Sequence, residues 1–201
     1  EMQRSLVGSE MCIRDRLKDP GSTMSFEPLT EERIETDSTY DAGTTTQLMW
    51  GARSDVGCVR PHNEDSYLVQ SPLFCVCDGM GGHAAGEVAS SIAVETIAKT
   101  APQSADAARL AAAVEAANAA VIEAALNGLG KPGMGCTATC AYIENDTLAI
   151  AHVGDSRAYL LHEGTLIRVT RDHSYVEELV DAGEITADEA RVHPNLSLIH
   201  I

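Results

Sequence analysis

Four short strand patterns follow one another in the second half of the chain, and the joins between them are tight. Apolar runs predict strands over 136–143, 148–153, 157–162 and 165–170. Turn residues such as Asn145, Gly154 and Gly164 occupy the joins. Because a parallel crossover needs about a dozen residues or more, these strands can pair only with antiparallel neighbours. The pattern therefore predicts largely antiparallel sheets.

Helical patterns interrupt the strands in the first half of the chain. Strands are predicted over 47–53, 66–70 and 73–77, the last two forming a hairpin at Ser71-Pro72. An Ala-rich helix over 104–126 ends at Asn127-Gly128, and another helix precedes it from about residue 84 to 99. Two short helices are predicted over 175–182 and 186–192. The order of strands, helices, strands and helices indicates an α+β fold.

Charge and composition exclude several classes of protein. Lys and Arg number 14 against 30 Asp and Glu, which gives a formal charge of −16 and argues against nucleic acid or anionic membrane as a partner. No apolar run approaches the length of a membrane segment, and no signal pattern opens the chain. The cysteines lack zinc-finger spacing, and most lie in apolar runs, which is typical of a reducing compartment. We expect a cytoplasmic protein.

Carboxylates gather where predicted strands begin or end. Glu64 and Asp65 precede one strand, Asp78 follows another, and Asp155 lies between two. Oxygen ligands of this kind favour Mg²⁺ or Mn²⁺ over zinc. Gly79 lacks a side chain, so its carbonyl can approach an ion closely. The alternative is that these are ordinary turn residues, which spacing alone does not exclude.

Two further features near the carboxylates each have two interpretations. The guanidinium of Arg60, in the Glu64 loop, could bind a phosphate oxygen, or it could form a surface ion pair. The glycine-rich segment 79–86 follows a strand and opens a helix, as a nucleotide-binding loop does, but its spacing is not G-x-G-x-x-G. His83 within it is a candidate proton donor or a structural residue at a helix start.

Taken together, five segments resemble a known family in order and spacing. The segments are SDVGCVRPHNED (54–65), CDGMGGH (77–83), GMGCT (133–137), HVGDSR (152–157) and TRDHS (170–174). The sequence is similar to the metal-dependent PP2C-type (PPM) serine/threonine phosphatases of bacteria over about residues 47–195. The resemblance implies an α+β, PP2C-like sandwich of two antiparallel β-sheets flanked by α-helices, incomplete in this chain.

The resemblance also implies an activity and a cofactor. Family members hydrolyse phosphoserine and phosphothreonine with a metal-activated water, using two Mn²⁺ or Mg²⁺ ions and in some cases a third, weaker one. By similarity, Asp78 bridges the two ions and the Gly79 carbonyl binds one of them. The implied partners are phosphorylated protein substrates and a serine/threonine kinase that shares them.

The resemblance assigns roles to the remaining site residues. Glu64 and Asp65 hold the second ion directly or through water, Arg60 binds the substrate phosphate, and Asp155 helps to hold the third ion. The segment from Asp172 to residue 195 resembles a mobile flap beside the active site. Met80 stands where some members carry a histidine, so the general acid is not assigned.

The resemblance divides the chain into three parts. We expect an unstructured, non-native leader over 1–46, the N-terminal part of a phosphatase domain over 47–195, and a non-native tail over 196–201. Two aspartates that the family supplies further along have no counterpart here. An alternative is therefore a catalytically incomplete phosphatase-like fragment with weak or no metal binding.

Overall fold

The computed structural model describes residues 39–45, 47–58, 60–81 and 85–190, which divide into two compact units between Asn63 and Glu64. The first unit contains an antiparallel hairpin of β1 (Thr39–Thr44) and β2 (Met49–Ser54). Thr45 Oγ1 accepts a hydrogen bond from Leu48 N at 2.9 Å at the turn. An unstructured leader is expected from the sequence over 1–46, but Thr39–Thr44 within it form a strand. That strand is largely exposed, so no apolar alternation announces it.

An antiparallel sheet forms the centre of the second unit. Its order is β3-β4-β6-β7, and a fifth strand, β5, pairs with the end of β4. These strands are β3 (Asp65–Gln70), β4 (Leu73–Met80), β5 (Gly135–Cys136), β6 (Ala138–Glu144) and β7 (Thr147–Val153). The predicted hairpin at Ser71-Pro72 is confirmed, with Gln70 opposite Leu73.

Two helices pack on this sheet and on each other, α1 (Ala85–Thr100) and α2 (Ala107–Leu126). Asp106 caps α2 by accepting a hydrogen bond from Arg109 N at 3.1 Å, which explains why the helix begins later than predicted. Small residues such as Ala89 and Ala117 fill the buried faces and let the backbones approach closely. Leu110 is fully buried in the same core.

A second hairpin, β8 (Tyr159–His162) and β9 (Thr165–Arg168), follows the sheet. Every residue in both strands is exposed. These strands are shorter than predicted because, just before β8, Ala158 N donates to the side-chain hydroxyl of Thr170 and not to a backbone carbonyl. Two short helices complete the described part, α3 (Tyr175–Asp181), capped by Ser174, and α4 (Ala187–Ala190).

The predicted α+β class with antiparallel sheets is confirmed by the strand pairing. Residues 1–38 and 191–201 lie outside the described residues, as do the expected tail and the last residues of the helix predicted over 186–192. Within the described ranges, no helix combines the length and apolar character that crossing a bilayer requires.

Candidate metal and phosphate site

Two of the predicted carboxylates face each other across the β3–β4 hairpin. Asp65 at the start of β3 is in register with Asp78 near the end of β4, and Asp78 is only 7% exposed. Like charges directly opposite on neighbouring strands are destabilising unless something neutralises them. A cation bound at this end of the hairpin would therefore be attracted by both carboxylates.

The backbone of Glu64 is fixed beside this pair. Its carbonyl oxygen accepts hydrogen bonds from Gly79 N at 3.2 Å and from the hydroxyl of Ser90 at 2.7 Å. Ser90 lies on α1 and is completely buried, and its hydroxyl is also 2.9 Å from that of Ser66. Helix α1 thus holds the start of β3 against the end of β4. Sequence reasoning missed Ser90, because nothing in its local pattern separates it from other helical serines.

Gly79 is required by close packing between two backbones. A Cβ atom on Gly79 would lie 2.2 Å from the carbonyl oxygen of Gly86, in the first turn of α1, and 2.4 Å from that of Glu64. A Cβ on Gly86 would lie 2.7 Å from the carbonyl carbon of Gly79. The strand end that carries Asp78 therefore rests directly on the helix start. The expected role of the Gly79 carbonyl as a metal ligand stays a prediction.

Thr137 connects Asp78 to the segment that carries Asp155. The backbone N of Asp78 donates to Thr137 Oγ1 at 3.0 Å, and Thr137 N donates to the Asp78 carbonyl at 2.9 Å. The same Thr137 hydroxyl is 2.6 Å from that of Ser156, which is 1% exposed. Gly154 has a φ of +102°, and a Cβ there would lie 2.7 Å from Thr137 Cγ2. The loop that carries Asp155 is thereby held against Asp78. The order of the motifs in the sequence did not predict this contact.

The carboxyl group of Asp155 is partly removed from water. Burial raises its pKa, and the negative charge of Asp172 raises it further, whereas a hydrogen bond from its own backbone and the charge of Arg157 act in the opposite direction. A cation at this position would therefore relieve an unfavourable charge. This is consistent with a weak ion site at Asp155, which stays a prediction.

A bidentate ion pair anchors the start of the predicted flap. Arg157 Nε and Nη2 donate to the carboxylate of Asp172 at 3.0 and 2.6 Å, and Asp172 is 7% exposed. The pair raises the pKa of Arg157. His173 N also donates to the Gly154 carbonyl at 2.8 Å. The guanidinium of Arg157 is thus engaged with Asp172, and the flap begins at a fixed point.

The roles expected for the remaining predicted residues stay predictions. Arg60 lies in the loop after β2, in the unit that ends at Asn63, and its role as a phosphate ligand stays a prediction. His83 and its neighbours at 82 and 84 lie outside the described residues.

The donors present match the preferences of Mg²⁺ and Mn²⁺ in chemistry. Glu64, Asp65, Asp78 and Asp155 supply carboxylate oxygens, and Gly79 supplies a carbonyl. Across the part of the chain that the structure describes, no three His, Cys, Asp or Glu side chains form a group suited to a metal. The described residues are therefore of the right chemical kind for these ions, but they do not form a group of three such side chains around one point.

Comparison with known proteins identifies the class to which this fold and site belong. The family model described as "Protein phosphatase 2C" matches residues 50–179, so the chain belongs to the protein phosphatase 2C family. It is 44% identical over 161 residues to the serine/threonine protein phosphatase PstP of Mycobacterium tuberculosis, a match covering 79% of this chain and 31% of that protein. The serine/threonine phosphatase stp of Listeria welshimeri is 38% identical over 159 residues, covering 73% of this chain and 63% of that protein.

Solved structures agree with this assignment. The crystal structure of M. tuberculosis PstP/Ppp superposes with a TM-score of 0.69 at 40% identity, covering 82% of this chain and 67% of that one. The crystal structure of the PstP catalytic domain in complex with two manganese ions superposes with a TM-score of 0.64 at 40% identity. This match covers 76% of this chain and 64% of that one. The predicted family and PP2C-like fold class are confirmed, and the chain spans less than two thirds of either curated relative. The alternative of a non-catalytic fragment is not favoured.

Proposed function

We propose that this protein is a metal-dependent protein serine/threonine phosphatase that hydrolyses phosphoserine and phosphothreonine in other proteins. The observation that carries the proposal is the position of Asp78. It is buried, faces Asp65 across the hairpin, and is tied to the Asp155 loop through Thr137. Such an arrangement has a clear use in a phosphatase, where a cation between the carboxylates and a phosphate neutralises both.

The cofactor that fits is a pair of Mn²⁺ or Mg²⁺ ions, as in the PstP complex with two manganese ions. In this proposal Asp78, the Gly79 carbonyl, Glu64 and Asp65 hold the pair, and Asp155 helps to hold a third, weaker ion. When bound, the ions lower the pKa of a water molecule and offset charge on the phosphoryl oxygens.

The chain's own residues contribute positioning. The backbone of Asp78 donates to the Thr137 hydroxyl and accepts from Thr137 N, and Gly79 packs on Gly86, so the strand end that carries Asp78 is held in place before any ion arrives. Such preorganisation avoids a conformational cost during the reaction. Arg60 would orient the substrate through two parallel hydrogen bonds from its guanidinium to phosphate oxygens.

The partners follow from this chemistry and from composition. Phosphorylated proteins are the substrates, and a serine/threonine kinase with the same targets is the expected counterpart. The formal charge of −16 disfavours nucleic acid as a ligand, because phosphate backbones require a basic surface. We place the activity in the cytoplasm, where such a kinase would act.

The test is hydrolysis of p-nitrophenyl phosphate and of a phosphothreonine peptide, with Mn²⁺ or with chelator. Asp78→Asn keeps the size of the side chain and removes its charge, and we expect it to lower the Mn²⁺-dependent rate by more than the roughly 10–100-fold that losing a supporting partner of a metal ligand costs. Asp146→Asn is the matched control, because Asp146 is exposed in the β6–β7 turn. Hydrolysis that persists in chelator and is unchanged by Asp78→Asn would contradict the proposal.

A further inference from the structure

Four cysteines meet in the core of the central sheet, and the proposed phosphatase reaction uses none of them. Cys75 and Cys140 are directly opposite each other on β4 and β6, with their sulfur atoms 2.9 Å apart. Cys77 lies 3.8 Å from Cys75, and Cys136 is on β5, which pairs with the end of β4. Cys75 and Cys140 are 3% and 0% exposed.

The register places Cys75 and Cys140 at a position where a disulfide can form. Thr137 N donates to the Asp78 carbonyl, and Ile143 N donates to the Pro72 carbonyl, so both of those flanking pairs are hydrogen-bonded. Hydrogen-bonded and non-hydrogen-bonded pairs alternate along an antiparallel ladder. Cys75 and Cys140 lie three positions from each flanking pair, an odd number, so they form a non-hydrogen-bonded pair.

In a pair of this type the Cα atoms are only about 4.5 Å apart, which lies within the range of about 4.4–6.8 Å seen in disulfides. The sulfur separation of 2.9 Å is also shorter than the roughly 3.5–4.0 Å at which nonbonded heavy atoms pack best. Bond formation therefore needs little movement of either strand. Cys77 and Cys136 are diagonal neighbours, since Gly79 is the residue opposite Cys136.

We propose that Cys75 and Cys140 are a redox modification site, which hydrogen peroxide converts to an intramolecular disulfide. The Cys75 sulfur attacks the peroxide, the O–O bond breaks, and a sulfenic acid and water form. The Cys140 thiol then attacks this sulfur, the S–S bond forms, the S–O bond breaks, and a second water leaves. Overall, two thiols lose two protons and two electrons, and hydrogen peroxide is reduced to two waters.

Two physical consequences follow from the position of this pair. The hydrogen bond from Cys75 to Cys140 and the burial of Cys75 raise the pKa of the Cys75 thiol. Oxidation is therefore slow at neutral pH and faster at alkaline pH. The disulfide closes a loop that contains both α1 and α2, and it should stabilise the folded chain because it restricts the unfolded one. It also joins β4, which carries Asp78, to β6.

Two-cysteine variants test the pairing directly. In a chain with Cys12→Ser and Cys58→Ser, adding Cys77→Ala and Cys136→Ala leaves only the Cys75–Cys140 pair. The matched variant with Cys75→Ala and Cys140→Ala leaves Cys77 and Cys136. After hydrogen peroxide treatment and thiol alkylation, intact mass should show loss of two hydrogens in most of the first variant and in little of the second.

A thermal melt before oxidation shows whether each variant folds. The oxidised first variant should melt at a higher temperature, and dithiothreitol should return the melting temperature to its value before oxidation. The chain with all its cysteines provides a second measurement, in which fragmentation of the cross-linked peptides identifies the bonded pair. A Cys77–Cys136 bond, sulfinic acid without a cross-link, or thiols that stay intact at alkaline pH would each overturn the proposal.

Discussion

The central sheet and the β8–β9 hairpin are built from similar strand patterns but are held in place by different forces. The sheet β3-β4-β6-β7 buries alternate residues under two helices, and the apolar core lies between them. In the hairpin, Leu161 and Leu166 are 68% and 64% exposed. Polar bonds at its base hold it in place, including Ala158 N to Thr170 Oγ1 and Arg157 to Asp172. Apolar packing therefore fixes one region, and a few charged and polar contacts fix the other.

The largest difference should appear when a leucine is truncated in each region. Leu110→Ala removes a fully buried side chain from the helix–sheet core, and we expect a loss of about 2–5 kcal/mol in unfolding free energy. Leu161→Ala in the hairpin should change it by less than about 0.5 kcal/mol. Urea denaturation of the two variants measures both values. Similar losses of unfolding free energy in the two variants would show that the hairpin is covered in solution. The proposed difference between the two regions would then be wrong.

Removing the ion pair at the hairpin base should have the next largest effect. Asp172→Asn leaves the guanidinium of Arg157 without its charged partner, and we expect a cost of about 1.5–3 kcal/mol. The control is Glu177→Gln, which weakens the more exposed pair with Arg168 and should cost less than about 1 kcal/mol. If the two substitutions cost the same in urea denaturation, the Arg157–Asp172 pair is not the anchor.

A glycine substitution separates packing from helix propensity in the covered region. Propensity alone predicts that Gly86→Ala stabilises α1 by about 1 kcal/mol. The contact with Gly79 predicts the opposite, a loss of about 1–3 kcal/mol, because the new Cβ would lie 2.7 Å from a carbonyl carbon. Gly51→Ala, whose Cβ would meet nothing closer than 3.9 Å, is the control. A higher melting temperature for Gly86→Ala would disprove the backbone contact.

The smallest expected effect is a pH dependence at His152, where β7 meets the segment after the hairpin. Its Nδ1 lies 2.9 Å from Thr139 Oγ1 and its Nε2 lies 2.9 Å from the Arg171 carbonyl. Only a nitrogen that carries a proton can donate to that carbonyl, so in the neutral ring Nδ1 accepts from Thr139. Burial, followed by the neighbouring His173, lowers the pKa of His152 below the usual 6.5.

The sign of the pH effect follows from this lowered pKa. The unfolded chain binds the proton more readily than the folded one, so stability falls as the pH drops below 6.5 toward the folded pKa. Above 6.5 both states are neutral at this residue and the contribution is constant. Thermal melts of the native chain and of His152→Gln should therefore show a smaller acid loss in the variant. Parallel melting curves across this range would exclude His152 as the group responsible.

The antiparallel arrangement and most element positions could be predicted from the sequence, because they depend on neighbouring residues. The turn at Ser71-Pro72 and the end of α2 at Asn127-Gly128 are examples. The segment Thr39–Thr44 was not predicted as a strand, since an exposed hairpin lacks the apolar alternation that marks a half-buried one. The candidate ligands Asp78 and Asp155 were found from motif order, without any indication of what supports them.

The sequence by itself determined which residues occur at strand ends and which family they resemble, because motif spacing is a property of adjacent positions. Only the tertiary structure decided that Thr137 joins Asp78 to the Asp155 loop and that Gly79 rests on Gly86. It also decided that Cys75 meets Cys140 across two strands. These contacts join residues far apart in the chain. They depend on strand register and helix packing, which many distant side chains set together.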